Sequence, residues 1–210
     1  MFLLTEEHIF PATHNAFEDG LVCIGGDLST ERLILAYSKG IFPWYNEDDP
    51  ILWYSPDPRF VLFPERIKVS HSMKQVMKSG QFTCTINQDF AAVIRQCRMQ
   101  TRKGQEGTWI NPDLEAAYIS LHELGHAYSV ECWKDGKLVG GLYGVLVNRV
   151  FCGESMFSLE KNASKTALIF FTEYLQTRSV TLIDCQVYTP HLDSLGAEMI
   201  SREHFESYLA

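Results

Sequence analysis

Residues 128–157 read YSVECWKDGKLVGGLYGVLVNRVFCGESMF. Apolar runs at Tyr128–Trp133, Leu138–Val147 and Val150–Met156 follow one another with only a few residues between them. Asp135-Gly136, between the first two runs, suits a tight hairpin turn. This spacing predicts three consecutive antiparallel strands.

The remaining elements extend this pattern. After the three strands we expect a helix from Asn162 to about Arg178, a strand at Val180–Val187, a short helix, and a last strand near Glu198–Ile200. Upstream, capping and breaking residues predict helices at residues 29–39, 70–79, 87–99 and 111–124. The stretch from Phe42 to Pro64 contains five prolines and is expected to be an irregular connector. The order β-β-β-α-β predicts an α+β fold around a largely antiparallel sheet.

Length and composition limit the class of protein. The 210 residues are enough for one large or two modest domains, and we place a boundary after residue 60 (1–60 and 61–210). The apolar patch at the start of the chain is too short, and the residues after it are too acidic, for a signal peptide. No apolar run is long enough to span a membrane. The six cysteines are widely spaced without a Cys-x-x-Cys pair, so we expect reduced thiols in a cytoplasmic protein.

Positive charge is concentrated in one segment of an acidic chain. The net charge is −8, yet residues 59–103 contain nine basic residues against two acidic ones. Such a block is typical of a nucleic-acid contact, and Lys74 and Lys78 are its candidate phosphate ligands. A pair of solvated helix faces would give the same composition.

His122-Glu123-Leu124-Gly125-His126 matches the His-Glu-x-x-His signature of zinc proteases. That chemistry needs both histidines on one continuous helix, together with a third ligand. Gly125 falls where the helix should end, so we expect a helix terminus here and no metal site.

Three polar residues interrupt apolar, strand-like runs. Glu154 lies within Val145–Phe157, and Asp184 and Gln186 lie within Val180–Val187. Because an unpaired polar group is costly to bury, these residues form either a structural hydrogen-bond network or a working site.

Aromatic and apolar residues leave a similar choice open. Trp44 and Trp109 lie at loop or helix-entry positions, where their rings could stack on bases or belong to the core. Four further residues have the pattern of ordinary core positions: Phe151, Met156, Phe171 and Ile183.

Together these motifs resemble the leucyl/phenylalanyl-tRNA–protein transferase family from about Phe10 to Phe205. The segments that carry the resemblance are Gly25–Ser29, Gly40–Trp44, Trp53–Arg59, Thr108–Ile110, Phe151–Ser158 and Asp184–Gln186. Tyr54 departs from the pattern, since a tryptophan is common there, and the chain stops at Ala210, earlier than many relatives.

The resemblance implies an aminoacyltransferase. Its members move Leu or Phe, and Met less well, from aminoacyl-tRNA to proteins that begin with Arg or Lys, which marks those proteins for N-degron proteolysis. It also implies a small N-terminal α/β domain, an N-acetyltransferase-like catalytic domain, a monomer, and no cofactor, metal or membrane. The coenzyme A pyrophosphate loop of acetyltransferases is absent from the sequence, in keeping with a different acyl donor.

The family pattern also implies roles for individual residues. Trp44 and Trp109 would hold the terminal adenosine, and the aminoacyl side chain would sit among Phe151, Met156, Phe171 and Ile183. Asp184 would orient Gln186, whose carbonyl oxygen accepts a hydrogen bond from the attacking amine, with Glu154 holding the substrates or the cationic acceptor. From the residues alone, a metalloprotease and a noncatalytic tRNA-binding module remain alternatives.

Overall fold

The computed structural model describes residues 2–100 and 109–210. The strands are β1 Phe2–Leu4, β2 Leu21–Gly25, β3 Phe42–Pro43, β4 Leu52–Tyr54, β5 Arg59–Leu62, β6 Thr83–Ile86, β7 Ala127–Lys134, β8 Lys137–Val147, β9 Val150–Ser158, β10 Leu182–Gln186 and β11 Glu198–Ile200. The helices are α1 Thr30–Ser38, α2 His71–Lys78, α3 Phe90–Met99, α4 Pro112–Glu123, α5 Ala163–Thr177, α6 Pro190–Asp193 and α7 Arg202–Glu206. Within these ranges no helix has both the length and the apolarity that a membrane crossing requires.

The strands form two sheets. Seven strands make the larger one, in the order β11-β5-β10-β9-β8-β7-β6, and every neighbouring pair in it is antiparallel except β9 and β10. A smaller four-stranded sheet, β1-β2-β4-β3, belongs to the N-terminal part. The expected α+β fold with a largely antiparallel sheet is confirmed.

Local signals predicted several boundaries well. Asp135 and Gly136 both adopt positive φ, which is the conformation of a two-residue hairpin turn. Asn111 caps α4 by accepting a hydrogen bond from the Leu114 N–H at 2.9 Å. Helix α4 ends at Glu123, and Gly125 follows with a φ of 83°.

Other boundaries were wrong. The proline-rich connector contains three short strands, β3, β4 and β5, and the last of these lies inside the large sheet. Helix α3 begins at Phe90 rather than at Asn87, because Asn87 adopts a φ of 58° and its side chain accepts a hydrogen bond from the Ser129 N–H. Asn162 precedes α5 but makes no side-chain cap, since its own φ is 73°.

The main hydrophobic core connects the two parts of the chain. It includes Leu33 and Trp53 from the N-terminal sixty residues, together with Phe90, Leu114 and Val145 from the rest. The expected domain boundary after residue 60 falls within β5, and it stays a prediction. Residues before and after residue 60 both belong to β5, a strand of the large sheet.

Candidate active site

A cavity opens at the centre of the large sheet, where β9 and β10 separate. The two strands pair from Leu182–Val150 to Asp184–Cys152, but β9 continues to Ser158 and β10 to Gln186. Residues from both diverging segments line a cavity of about 470 Å³. The single parallel pair of this sheet is therefore where the chain leaves room for a ligand.

A β-bulge brings Glu154 to this cavity. Tyr143 of β8 pairs with Ser155, and the next residue, Gly144, pairs with Gly153, so Glu154 is an extra residue in β9. A bulge breaks the regular alternation of a strand and turns one side chain in a new direction. Here it places a carboxylate against the cavity wall.

A second bulge lies on the neighbouring strand. Asp184 pairs with Val61 of β5, whereas Gln186 pairs with Phe60, so Cys185 is the extra residue. Gln186 itself has a φ of 63°, which a non-glycine residue adopts at some cost. The two bulges together bring the side chains of Glu154 and Gln186 into contact.

Glu154 is held by neutral donors. Its Oε1 accepts a hydrogen bond from Gln186 Nε2 at 2.9 Å, and its Oε2 accepts one from the Tyr118 hydroxyl at 2.9 Å. The Tyr37 hydroxyl lies 2.5 Å from that of Tyr118. Burial raises the pKa of Glu154 to about 7, opposed by hydrogen bonding from these three residues and reinforced by the negative charge of Asp184.

Asp184, in contrast, is paired with a cation. Arg59 donates from Nε to Oδ1 at 2.8 Å and from Nη2 to Oδ2 at 2.6 Å, and both side chains are buried. The guanidinium also lies over the rings of Phe42 and Phe205, at 4.8 and 4.5 Å from their centroids. Asp184 Oδ1 accepts a further hydrogen bond from the Gln186 backbone N–H at 2.9 Å.

The expected partner of the Gln186 amide was wrong. The sequence suggested that Asp184, two residues earlier on the same strand, would hold the NH₂ group, but Glu154 does so. The bulge at Cys185 removes the regular alternation, and Arg59 and a backbone N–H occupy the oxygens of Asp184. Asp184 contacts Gln186 through the backbone N–H of that residue.

Three of the four expected pocket residues line the cavity. They are Phe151, Met156 and Ile183, and Leu142 and Leu168, which sequence analysis missed, line it beside them. The fourth, Phe171, does not.

Phe171 is fully buried behind Phe151, with the two ring centroids 4.7 Å apart. It faces a separate, smaller cavity of about 140 Å³. The helical spacing of Phe171 in α5 correctly indicated a core residue. Spacing alone does not indicate on which side of the Phe151 ring Phe171 lies.

Both tryptophans line the main cavity. Trp44 is 39% exposed, and its ring packs edge-on against Tyr54 at a centroid distance of 5.7 Å. Trp109 is half-buried. Neither ring is fully buried, and a ring must be accessible to serve as a stacking surface.

The basic segment is not one free surface. Lys74 and Lys78 are exposed on α2, but Arg59 is buried against Asp184. Three further arginines form salt bridges to acidic residues: Arg66 to Glu198, and Arg95 and Arg98 to Glu115. Arg102, Lys103 and the motif residue Thr108 lie outside the described residues.

The two histidines of His-Glu-x-x-His do not share a helix face. Helix α4 ends at Glu123, between them. The His122 ring stacks on Phe90 at 4.4 Å, and its Nδ1 donates to the Ala127 carbonyl at 2.8 Å. In the described part of the chain, no group of three or more His, Cys, Asp or Glu side chains could hold a metal ion.

Comparison with known proteins decides among the remaining alternatives. A family model described as leucyl/phenylalanyl-tRNA protein transferase matches residues 61–210, and a model of the N-terminal domain of that transferase matches residues 26–57. The chain belongs to the leucyl/phenylalanyl-tRNA–protein transferase family. It is therefore an aminoacyltransferase.

Relatives in this family match the chain over its whole length. A leucyl/phenylalanyl-tRNA–protein transferase of Syntrophobacter fumaroxidans is 53% identical over 210 residues, which is 100% of this chain and 90% of the relative. One from Flavobacterium psychrophilum is 52% identical over 209 residues, covering 100% and 99%. A GCN5-related N-acetyltransferase from Kribbella flavida aligns with 11% identity and a TM-score of 0.41, covering 80% of this chain and 59% of that one.

Proposed function

We propose that this transferase moves Leu or Phe, and Met less well, from aminoacyl-tRNA to the free α-amine of proteins that begin with Arg or Lys. The modified proteins would then enter N-degron proteolysis, with the enzyme acting as a cytoplasmic monomer. The observation that carries this proposal is one cavity with an apolar wall and a polar end. The wall contains Phe151, Met156 and Ile183, and the polar end contains Glu154 and Gln186.

The apolar wall suits the side chain of the donor. Leu, Phe and Met are unbranched at Cβ and can enter a narrow apolar pocket, whereas Ile and Val would be rejected by shape. One methyl group discriminates by about 1–3 kcal/mol, so we expect strong but incomplete rejection. Trp44 and Trp109 supply rings in the same cavity on which the terminal adenine can stack.

The polar end suits the reacting amine. Gln186 donates its NH₂ group to Glu154, which leaves its carbonyl oxygen as an acceptor for the α-amine. The Arg59–Asp184 pair holds the Gln186 backbone, because Asp184 Oδ1 accepts a hydrogen bond from the Gln186 N–H. Because transfer from an ester to an amide runs downhill, positioning and proton acceptance are sufficient, without ATP or a cofactor.

The exposed lysines of α2 suit the body of the tRNA. Lys74 and Lys78 are free of acidic partners among the described residues, and they would neutralise backbone phosphates. Donor affinity should therefore fall with added salt. The same lysines should not affect a minimal aminoacyl-adenosine donor.

The decisive experiment follows transfer of radiolabelled Leu from tRNA to a polypeptide beginning with Arg. We expect Gln186→Ala to lower kcat by roughly 10²–10⁴ while the KM for donor stays near normal, because the residue acts on the amine. Gln88→Ala, at an exposed position between β6 and α3, is the matched control. An unchanged kcat would contradict the role of Gln186.

Acceptor specificity is tested in a separate experiment. Polypeptides that begin with Arg, Lys, Ala or Glu are compared at equal concentration. Transfer to the first two alone supports the proposed acceptors, and equal transfer to all four contradicts them. Activity that disappears on chelation and returns with zinc would revive the metalloenzyme alternative.

A further inference from the structure

We propose that Glu154 takes up the proton that the acceptor amine must lose, and that the hydroxyls of Tyr37 and Tyr118 form a reversible hydrogen-bond chain that serves Glu154 in both of its charge states. The inference rests on the proposed function, since it gives a destination to a proton released by that reaction. Helix α1, from the N-terminal part of the chain, would thereby contribute Tyr37 to the active site.

The chain consists of three buried groups from three elements. Tyr37 of α1 and Tyr118 of α4 are fully buried, and Glu154 of β9 is 7% exposed. The hydroxyl-to-hydroxyl distance is 2.5 Å, and the Tyr118 hydroxyl is 2.9 Å from Glu154 Oε2. A tyrosine hydroxyl that is buried usually needs a partner, and here the partners of both hydroxyls include one carboxylate or each other.

The direction of the chain depends on the charge of Glu154. When Glu154 is ionised, the single proton of Tyr118 goes to Oε2, so Tyr37 must donate to Tyr118. When Glu154 carries a proton on Oε2, it donates to Tyr118, and Tyr118 donates to Tyr37. The same two hydrogen bonds exist in both states, and Oε1 still accepts from Gln186.

This arrangement balances the proton of the reaction. The acceptor begins as an α-ammonium ion, which loses one proton to the Glu154 carboxylate. The freed electron pair of nitrogen then forms a bond to the ester carbonyl carbon, and the bond to the ribose oxygen breaks. A second nitrogen proton ends on that leaving oxygen, and Glu154 returns its own proton to water after the product departs.

The electrostatic surroundings match the transfer. An α-ammonium has a pKa of about 8 and an ordinary Glu a pKa of about 4.3, so transfer to an ordinary carboxylate would be unfavourable by more than a thousandfold. Burial raises the pKa of Glu154 to about 7, which leaves roughly a tenfold difference.

The other titratable groups around Glu154 have different surroundings. Asp184 is bound by the Arg59 guanidinium. Burial raises the pKa of the Cys152 thiol well above its usual range, so that thiol is neutral near pH 7. Burial likewise raises the pKa of both tyrosines, which keeps them as donors.

The test is a carbon-13 NMR titration of the Glu154 carboxyl in the resting enzyme, compared with the pH profile of kcat at saturating substrates. Tyr118→Phe removes a donor to the carboxylate, so we expect the Glu154 midpoint and the acid limb of kcat to rise together by about one pH unit. Turnover should then fall about fivefold at pH 7 and recover near pH 9. Tyr37→Phe should shift both quantities in the same direction, because hydrogen bonding from Tyr37 also lowers the pKa of Glu154.

Tyr45→Phe is the matched control, because Tyr45 is buried and its hydroxyl hydrogen-bonds to Asn111 instead. It should leave the Glu154 midpoint in place even if it lowers stability. A midpoint unchanged by Tyr118→Phe, or a kcat limb that does not follow the titration, would overturn the chain. Wild-type protein that transfers no Leu would instead overturn the proposed function, and the titration separates the two failures because it needs no substrate.

Discussion

Two carboxylates lie side by side on neighbouring strands of this protein and have opposite surroundings. Asp184 faces a guanidinium that binds both of its oxygens, and it is completely buried. Glu154 faces an amide and a hydroxyl, which are neutral, and both carboxylates belong to the lining of the cavity. Only Asp184 has a full positive charge in contact with it.

This difference indicates a structural role for Asp184 and a chemical role for Glu154. A carboxylate whose two oxygens are bound by a guanidinium fork can anchor a backbone. A carboxylate held by neutral donors in a buried place changes its protonation state where the reaction operates. Gln186 lies between the two carboxylates and is hydrogen-bonded to both.

The largest expected effect tests Asp184 as support. Asp184→Ala leaves Arg59 charged, buried and unpaired, so the free energy of unfolding should fall by about 3–5 kcal/mol. Urea unfolding followed by circular dichroism measures this loss. Asp48→Ala, in an exposed loop, is the control and should change the free energy by less than about 0.5 kcal/mol. If Asp184→Ala keeps full stability and loses only turnover, Asp184 belongs to the chemistry.

The second effect has the opposite sign. The folded pKa of Glu154 is raised to about 7, so the folded state keeps a proton that the unfolded state loses near pH 4.5. Stability is therefore lost as pH rises from about 4.5 to about 7. Glu154→Gln removes this loss and should be more stable than wild type by about 3 kcal/mol at pH 8, with little difference at pH 4. Equal stability at both pH values would mean that Glu154 is not destabilised by its charge.

The smallest effect concerns the geometry of the Arg59 fork. Arg59→Lys keeps the positive charge but can make only one of the two hydrogen bonds to Asp184. We expect a loss of roughly 2 kcal/mol in the free energy of unfolding, smaller than that of Asp184→Ala in the same assay. If Arg59→Lys and Asp184→Ala lower the free energy of unfolding equally, the paired hydrogen bonds of the guanidinium contribute more to stability than its charge.

Local sequence patterns predicted the central hairpin, the α4 cap and the strands β8 and β9, since each depends on residues close together in the chain. Strand β5 was missed because prolines surround it and because its partners β10 and β11 lie more than a hundred residues later. No local signal could indicate that pairing.

The site followed the same rule. Polar residues inside apolar runs identified Glu154, Asp184 and Gln186, and the structure brings all three together. Their partners were not predictable, because each bulge adds one residue to a strand and changes which side chains meet. Arg59 was counted as surface charge since composition does not distinguish a buried guanidinium from an exposed one.

The hydrophobic core shared by both parts of the chain has a consequence for how the molecule melts. Tyr37, Trp53 and Tyr118 belong to one continuous cluster, so the first sixty residues and the large sheet should unfold in a single cooperative transition. Thermal inactivation should then coincide with the loss of tertiary signal from either part. A substitution that weakens this cluster far from the cavity would lower the heat resistance of catalysis as much as one beside it.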